Sequence, residues 1–186
     1  MKSSAEWKGG TQYEGHSESG HAMLFDTDAA HTAGPSPMEA VLAALCACTS
    51  VDVVGIMGKK RQPLGSLVVS AVAEQAADAP RVFTKIHVTY TVGCVVNGSL
   101  AGSASGEAGL NHKAVEDAVA LSKEKYCSVS IMLGQAVEIT SSIKFLGKHA
   151  VEHADEFRGE SAKVSINRSE NELGNKPGNE RNDTAG

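Results

Sequence analysis

Aromatic side chains are scarce in this sequence, at 4% of residues, so few surfaces exist on which nucleic-acid bases could stack. Basic residues are also outnumbered: 17 Lys and Arg stand against 22 Asp and Glu, for a formal net charge of -5. No basic patch is therefore expected to attract nucleic acid or an anionic membrane surface. No uninterrupted run approaches the roughly 18 apolar residues of a spanning helix, so no membrane partner is expected. The first residues hold no apolar signal core, Glu6 argues against a transit peptide, and Thr184-Ala185-Gly186 is no targeting address. A soluble, cytoplasmic protein is the expectation. Cysteines number only four, Cys46, Cys48, Cys94 and Cys127. That is too few for a disulfide-stapled secreted scaffold, and reduced thiols are expected at rest.

What is present is an ordinary globular balance, 41% apolar and 21% charged over 186 residues, enough for one domain with a real core. Residues 1–33 carry turn signals at Gly9-Gly10 and Glu18-Ser19-Gly20 and predict two or three short strands, clearest at 21–25. Gly34-Pro35-Ser36-Pro37 then punctuates the chain, with Ser36 as N-cap and Pro37 as the first helical residue. A long helix is predicted from Met38 to Lys60. Val41, Leu42, Leu45, Val51, Val53, Val54 and Ile56 surround its axis, and a helix apolar all round is expected to be buried on all sides. Lys59-Lys60-Arg61 suit its C-terminal end, and Pro63 stops it.

Two strands follow, at 64–73 and 81–92, turning at Asp78-Ala79-Pro80. Residues 97–109, rich in Gly and Ser, predict a flexible loop. Helical spacing resumes after Asn111, a second helical piece runs over 128–135 directly after Cys127, and 137–145 reads as a closing strand. The order strands, helix, strands, helices, strand is α+β rather than a regular βαβ alternation. One domain is expected over 1–146. Residues 147–186 form a polar extension with almost nothing to bury, expected to be disordered.

Cys46 and Cys48 point about 200° apart on the predicted helix, so they cannot bridge each other, and those directions argue against one metal site using both. A zinc site also wants two closely spaced pairs, which Cys94 and Cys127 do not supply. No metal and no cofactor is expected. Cys94 ends a predicted strand, where a free cysteine is ordinary buried filler. Cys127 opens a predicted helix, and the helix amides, with Lys123 and Lys125 nearby, favour its thiolate. The stakes are large: a thiol of pKa about 8.5 is only about 3% thiolate at pH 7, and one of about 6 is about 90%. Reagent and filler both stay open for Cys127. Cys48 lies mid-helix in an apolar run with Asp52 one turn later, and both work against a thiolate. On those grounds Cys48 reads as inert unless the fold brings it a cation.

Three stretches resemble a known family. Residues 34–54 (GPSPMEAVLAALCACTSVDVV) resemble the first-cysteine helix of the OsmC-like subgroup of the OsmC/Ohr family, the osmotically inducible and organic hydroperoxide resistance proteins. Residues 80–87 (PRVFTKIH) resemble its central strand, and residues 118–130 (AVALSKEKYCSVS) its second-cysteine helix. The three come in order at fitting separations, and the likeness covers roughly residues 5–146.

The resemblance implies an OsmC-like fold: an intertwined α+β homodimer whose long central helices pack back to back between sheets. It also implies a thiol-dependent peroxidase acting on organic hydroperoxides in oxidative stress defence. In that scheme Cys48 attacks the peroxide and becomes a sulfenic acid, and Cys127 resolves it as a disulfide. A dithiol reductant then regenerates the pair. Cys46 and Cys94 match no family thiol and are left structural. Hydroperoxide-reducing members place an activating glutamate directly after the proline matched to Pro37. Here that residue is Met38, with Glu39 one later and roughly 100° around the helix. Those members also supply an arginine from the N-terminal strands. This chain has none before Arg61, which leaves His21 or Arg81 to take that place. The candidate site is therefore Cys48, Cys127 and Glu39 for the chemistry, with Met38, Arg81 and His21 toward the substrate. Two other readings of the same fold are a redox sensor that turns over slowly and a non-catalytic dimer that binds a small apolar ligand.

Overall fold

The Ser36 hydroxyl accepts from the Glu39 amide at 3.2 Å, and the Glu39 carboxylate accepts from the Ser36 amide at 2.7 Å. This reciprocal capping box, with Pro37 in the first turn, starts α1, Pro37–Lys59. The computed structural model describes residues 1–96, 99–101 and 109–146, and α1 is its longest helix. Gly34, just ahead of the cap, is needed for a close approach: a Cβ there would lie 2.4 Å from the Leu24 carbonyl oxygen. Leu45, Thr49, Val53 and Met57 recur every four residues and bury one face of α1.

That face packs on a sheet built around β5, Phe83–Val96. Its inward residues Ile86, Val88, Tyr90, Val92 and Cys94 are buried, while Lys85 and His87 between them are exposed, the period-two signature of a half-buried strand. The long antiparallel strand β4, Leu64–Gln75, pairs along one edge of β5. Along the other edge lie β6, Ser99–Ala101, and β7, Glu138–Phe145, the latter parallel to β5. Between β6 and β7 the chain runs through α2, His112–Leu121, a wide turn at Ser122–Tyr126, and the short α3, Ser128–Leu133. Asn111 caps α2 by accepting from the Ala114 amide, as its position predicted. Ala114, Val115, Ala118 and Val119 turn the buried face of α2 toward α1.

The N-terminal strands β1, Ser3–Gly9, β2, Gln12–Ser17, and β3, Ala22–Asp26, form a separate antiparallel meander. Within one chain it buries little. Trp7 is 65% exposed and Met23 50%, and Asp26 alone among its described residues is buried. The Asp26 carboxylate accepts from Thr11 Oγ1 and from the amides of Asp28 and Ala33, and these bonds hold it well below the usual carboxylate range.

The α+β element order is the one expected, and two expectations need correction. The Gly/Ser-rich stretch at 97–109 holds strand β6; residues 97–98 and 102–108, like the polar extension at 147–186, lie outside the described residues. Helix α1 is not buried on all sides within one chain. Ala43, Ala44, Ala47, Val51 and Val54 are exposed, because sheet and α2 cover only the opposite face. No uninterrupted apolar run of spanning length occurs, as read from the sequence. Over 23 residues, with an 18-residue window of mean hydropathy 2.1, α1 is long and apolar enough to cross a membrane by length and composition alone, as the core helix of a soluble protein can be. Thr49, Ser50 and Asp52 interrupt its apolar runs without lowering that average much.

Leu45 is 1% exposed where α1 meets the core. Leu45→Ala should cost about 2–5 kcal/mol of stability, read as a lower urea midpoint at unchanged slope. A loss within about 0.5 kcal/mol would show that this contact is not part of a packed core.

Candidate functional site

Cys48 lies at the middle of α1, half-buried, beside the stripe formed by Leu45, Thr49 and Val53. Cys127 reaches it because the chain after α2 widens. Over Ser122–Tyr126 the backbone makes a π turn, closed by the Cys127 amide donating to the Ser122 carbonyl at 2.8 Å, five residues back. The turn leaves Cys127 extended, as N-cap of α3, with its sulfur fully buried and within hydrogen-bonding reach of the Cys48 thiol.

Burial decides the electrostatics of Cys127. The expected helix-start contact exists, since the Ser130 amide donates to Cys127 Sγ at 3.4 Å. It is outweighed by desolvation first, then by the hydrogen bond and charge of Cys48, with a further push from Asp52. The thiol rises from its ordinary 9.0 to about 11. The lowered pKa that its place at a helix start suggested is thus corrected. Of the two nearby lysines, Lys125 turns its ammonium over the Tyr126 ring, 5.6 Å from the centroid.

A chain of buried hydroxyls runs beside the two sulfurs. Tyr90 on β5 and Thr49 on α1 are 2.7 Å apart, Thr49 and Ser122 are 2.8 Å apart, and Ser122 Oγ donates to Asp52 Oδ2 at 2.9 Å. Each hydroxyl owns one proton, and that of Ser122 is committed to Asp52. Thr49 must then donate to Ser122, and Tyr90 to Thr49. The chain is polarised from the core phenol to the carboxylate. Burial raises the Tyr90 pKa, outweighing the lowering effect of its bond to Thr49, so the phenol stays a donor. Asp52 also borders an open groove of about 490 Å³, with Ile56, Lys59, Lys60, Leu121 and Tyr126 among its walls. Tyr90, Thr49 and Ser122 were not among the sequence candidates. The signal available was a threonine in the buried stripe of α1 and a tyrosine in the inward alternation of β5.

The structure brings Cys48 and Cys127 together and engages the other candidates elsewhere. The Glu39 carboxylate is spent on Ser36, whose amide and hydroxyl hold its pKa below the ordinary value. Met38 lies half-buried in the first turn of α1. Arg81 is exposed between β4 and β5, its carbonyl accepting from Gln75 Nε2. His21 is exposed on the N-terminal meander, its Nδ1 3.2 Å from Ser19 Oγ, at the edge of a hollow of about 400 Å³ shared with His16, Met23 and Phe25. Among the described residues the one group with metal-ligand spacing is Glu6, Glu14 and His16. Lys8 Nζ already lies 3.4 Å and 3.2 Å from those two carboxylates.

Residues 29–142 match the model of the OsmC-like proteins. The chain belongs to the OsmC-like family. Protein YhfA of Escherichia coli strain K12 is 40% identical over 142 residues, covering 76% of this OsmC-like chain and 96% of that protein. A solved hypothetical protein from Aquifex aeolicus VF5 superposes with a TM-score of 0.60 at 25% identity, over 77% of this chain and 95% of its own. The fold is also that of the organic hydroperoxide resistance protein OhrB of Bacillus subtilis, at a TM-score of 0.53, 16% identity, and 77% and 96% coverage.

The raised Cys127 pKa links this site to stability. The folded protein holds that proton more tightly than the unfolded chain, so its contribution is complete below about pH 9 and is lost as pH rises toward about 11. Denaturation midpoints measured from about pH 8 to 11 should fall, and fall less steeply in Cys127→Ser. Parallel slopes in the two proteins would remove Cys127 as the titrating group.

Proposed function

We propose that this OsmC-like protein is a thiol-dependent peroxidase for organic hydroperoxides, working as a homodimer in oxidative stress defence. The observation that carries the reading is the contact between the Cys48 and Cys127 thiols. Cys48 attacks the terminal peroxide oxygen, the O–O bond breaks, and the alcohol leaves as Cys48 becomes a sulfenic acid. Cys127 then bonds to the Cys48 sulfur, the S–O bond breaks, and the Cys127 proton departs with that oxygen as water. A dithiol reductant returns both thiols and is itself oxidised. The apolar neighbours of Cys48 favour an alkyl hydroperoxide over hydrogen peroxide.

The exposed apolar side of α1, together with an N-terminal meander that leaves Trp7, Met23 and Leu24 open, supports assembly with a second copy. In such a dimer His21 or Arg81 stands in for the family's arginine, and Met38 is assigned to the substrate. The Cys127 burial favours one secondary reading, a redox sensor that closes its disulfide slowly.

Stopped-flow mixing of reduced protein with cumene hydroperoxide and with hydrogen peroxide, followed by intact mass, tests the proposal. The organic peroxide should react at least about tenfold faster, with loss of two hydrogens. Cys48→Ser should abolish the reaction, and Cys127→Ser should stop at a sulfenic acid that dimedone traps. Full turnover in Cys48→Ser sinks the peroxidase. Slow single-round oxidation of the same pair would establish the sensor instead.

A further inference from the structure

The outer face of the sheet, opposite the inward residues of β5, holds an imidazole with both ring nitrogens engaged. His87 stands opposite Thr140 on β7, and Thr89 opposite Ser142. Residues two apart on a strand share a face at about 6.6–7 Å spacing, so Thr140 and Ser142 bracket the ring. His87 Nδ1 lies 2.8 Å from Thr140 Oγ1, and Nε2 lies 2.9 Å from Ser142 Oγ. We propose that Ser142 is a nucleophile and His87 its general base, forming a second reactive site that takes short acyl groups from esters. It shares no residue with the thiol pair and does not depend on the peroxidase reading.

Proton counting sets the roles. Thr140 Oγ1 donates to the Ile86 carbonyl at 3.4 Å, and its hydroxyl owns one proton. The contact with His87 then runs the other way, with Nδ1–H donating to Thr140. A neutral imidazole carries one N–H, so Nε2 keeps its lone pair and accepts from the Ser142 hydroxyl. Thr89 Oγ1, 3.3 Å from Ser142 Oγ, is the donor to that oxygen. A hydroxyl bonded to a basic nitrogen, on a ring oriented by a third group, is the arrangement that activates a serine for attack. All four side chains stand on paired strands rather than on loops, which holds the geometry. His87 is exposed and Ser142 half-buried, so the pair is open to a solute.

Beside the ring lies a hollow of about 190 Å³, with Val72, Lys85 and Thr140 among its walls. Smaller than the roughly 300 Å³ at which drug-sized pockets begin, it suits a short acyl chain. The Lys85 ammonium is the cation available there to a carbonyl oxygen gaining charge. Glu74 and Glu138 also border the hollow and disfavour an anionic acyl group. In the reaction, Ser142 Oγ bonds to the ester carbonyl carbon as its proton passes to His87 Nε2. The bond from that carbon to the alcohol oxygen breaks, the alcohol leaves with the proton, and the acyl group stays on Ser142. Water then attacks the acyl carbon and gives a proton to Nε2. The bond to Ser142 breaks, the serine recovers the proton, and the carboxylic acid departs.

Full-length protein carrying Cys48→Ser, which removes the more accessible thiol of the pair, is mixed with p-nitrophenyl acetate and followed by nitrophenolate release and peptide mass. An acetyl group on Ser142 is expected. Turnover should fall about a hundredfold in Ser142→Ala and in His87→Gln, the low end of what general-base catalysis supplies. Acetyl groups confined to lysine or cysteine, or unchanged turnover in either variant, overturn the proposal. Thr140 is a positioning residue. In Thr140→Val the 15N shifts of the neutral His87 ring should change from Nδ1-protonated to a mixture of tautomers, with kcat lowered and KM unchanged. A ring protonated at Nε2 in the unsubstituted site overturns the assignment of the base. A clamp that merely joins β5 to β7 would change stability in these variants and leave Ser142 without an acetyl group. Should Ser142→Ala fail to fold, the acetylation map and the tautomer decide.

Discussion

A buried hydroxyl must find a partner or lose about 1–3 kcal/mol, and Thr49 is such a hydroxyl in the middle of an otherwise apolar helix face. Tyr90 and Ser122 satisfy it, and much else follows from that requirement. The bonds tie α1 to the central strand β5 and to the π turn after α2. They fix the rotation of α1 about its axis and the point where the chain leaves α2. Cys48 is the residue next to Thr49 on the same turn of α1, and Cys127 emerges from the π turn, so the register of the two sulfurs is set by hydroxyls rather than by the thiols. A polar network inside an apolar core specifies one arrangement because every alternative leaves a donor or acceptor unpaired.

Much of the architecture is written locally. The capping box at Ser36 and Glu39, the inward alternation of β5, the Asn111 cap and the start of a helix after Cys127 each depend on a few adjacent residues, and each is in place. What local pattern cannot carry is depth. The start of α3 offers Cys127 an amide, as its position promised, but the sulfur lies where no water reaches it and desolvation prevails. Glu39 illustrates the same limit from the other side. As an acid near a cysteine helix it reads as chemistry, whereas in the fold its third position in α1 makes it half of a cap. The π turn was illegible for a different reason. One extra residue per turn leaves the helical spacing of 118–126 intact to the eye, and only the long Cys127-to-Ser122 bond reveals it.

The two faces of α1 divide the labour of the molecule. One face is tightly committed: Leu45, Val53 and Met57 fill the core, with Thr49 wired into it. The other consists of small and medium apolar residues, Ala43, Ala44, Ala47, Val51 and Val54, left open within a single chain. Small side chains permit close approach of a second backbone. The thiols lie near the boundary between these two faces. Their environment on one side is set by the chain's own polar network and on the other by whatever lies against α1.

The parallel pairing of β7 with β5 has a bearing on how the site comes into being. Its ladder joins residues 53 positions apart, as for His87 and Thr140, and the segment between them carries Ser122 and Cys127. Such distant pairing is slow to form, because the entropy of closing a long loop must be met before any contact rewards it. During synthesis α1 and the β4–β5 hairpin can associate while Cys127 is still on an unclosed segment. A sulfur that ends fully buried therefore spends its earliest moments open to solution, and the redox state of that surrounding medium governs whether it reaches its buried place as a free thiol.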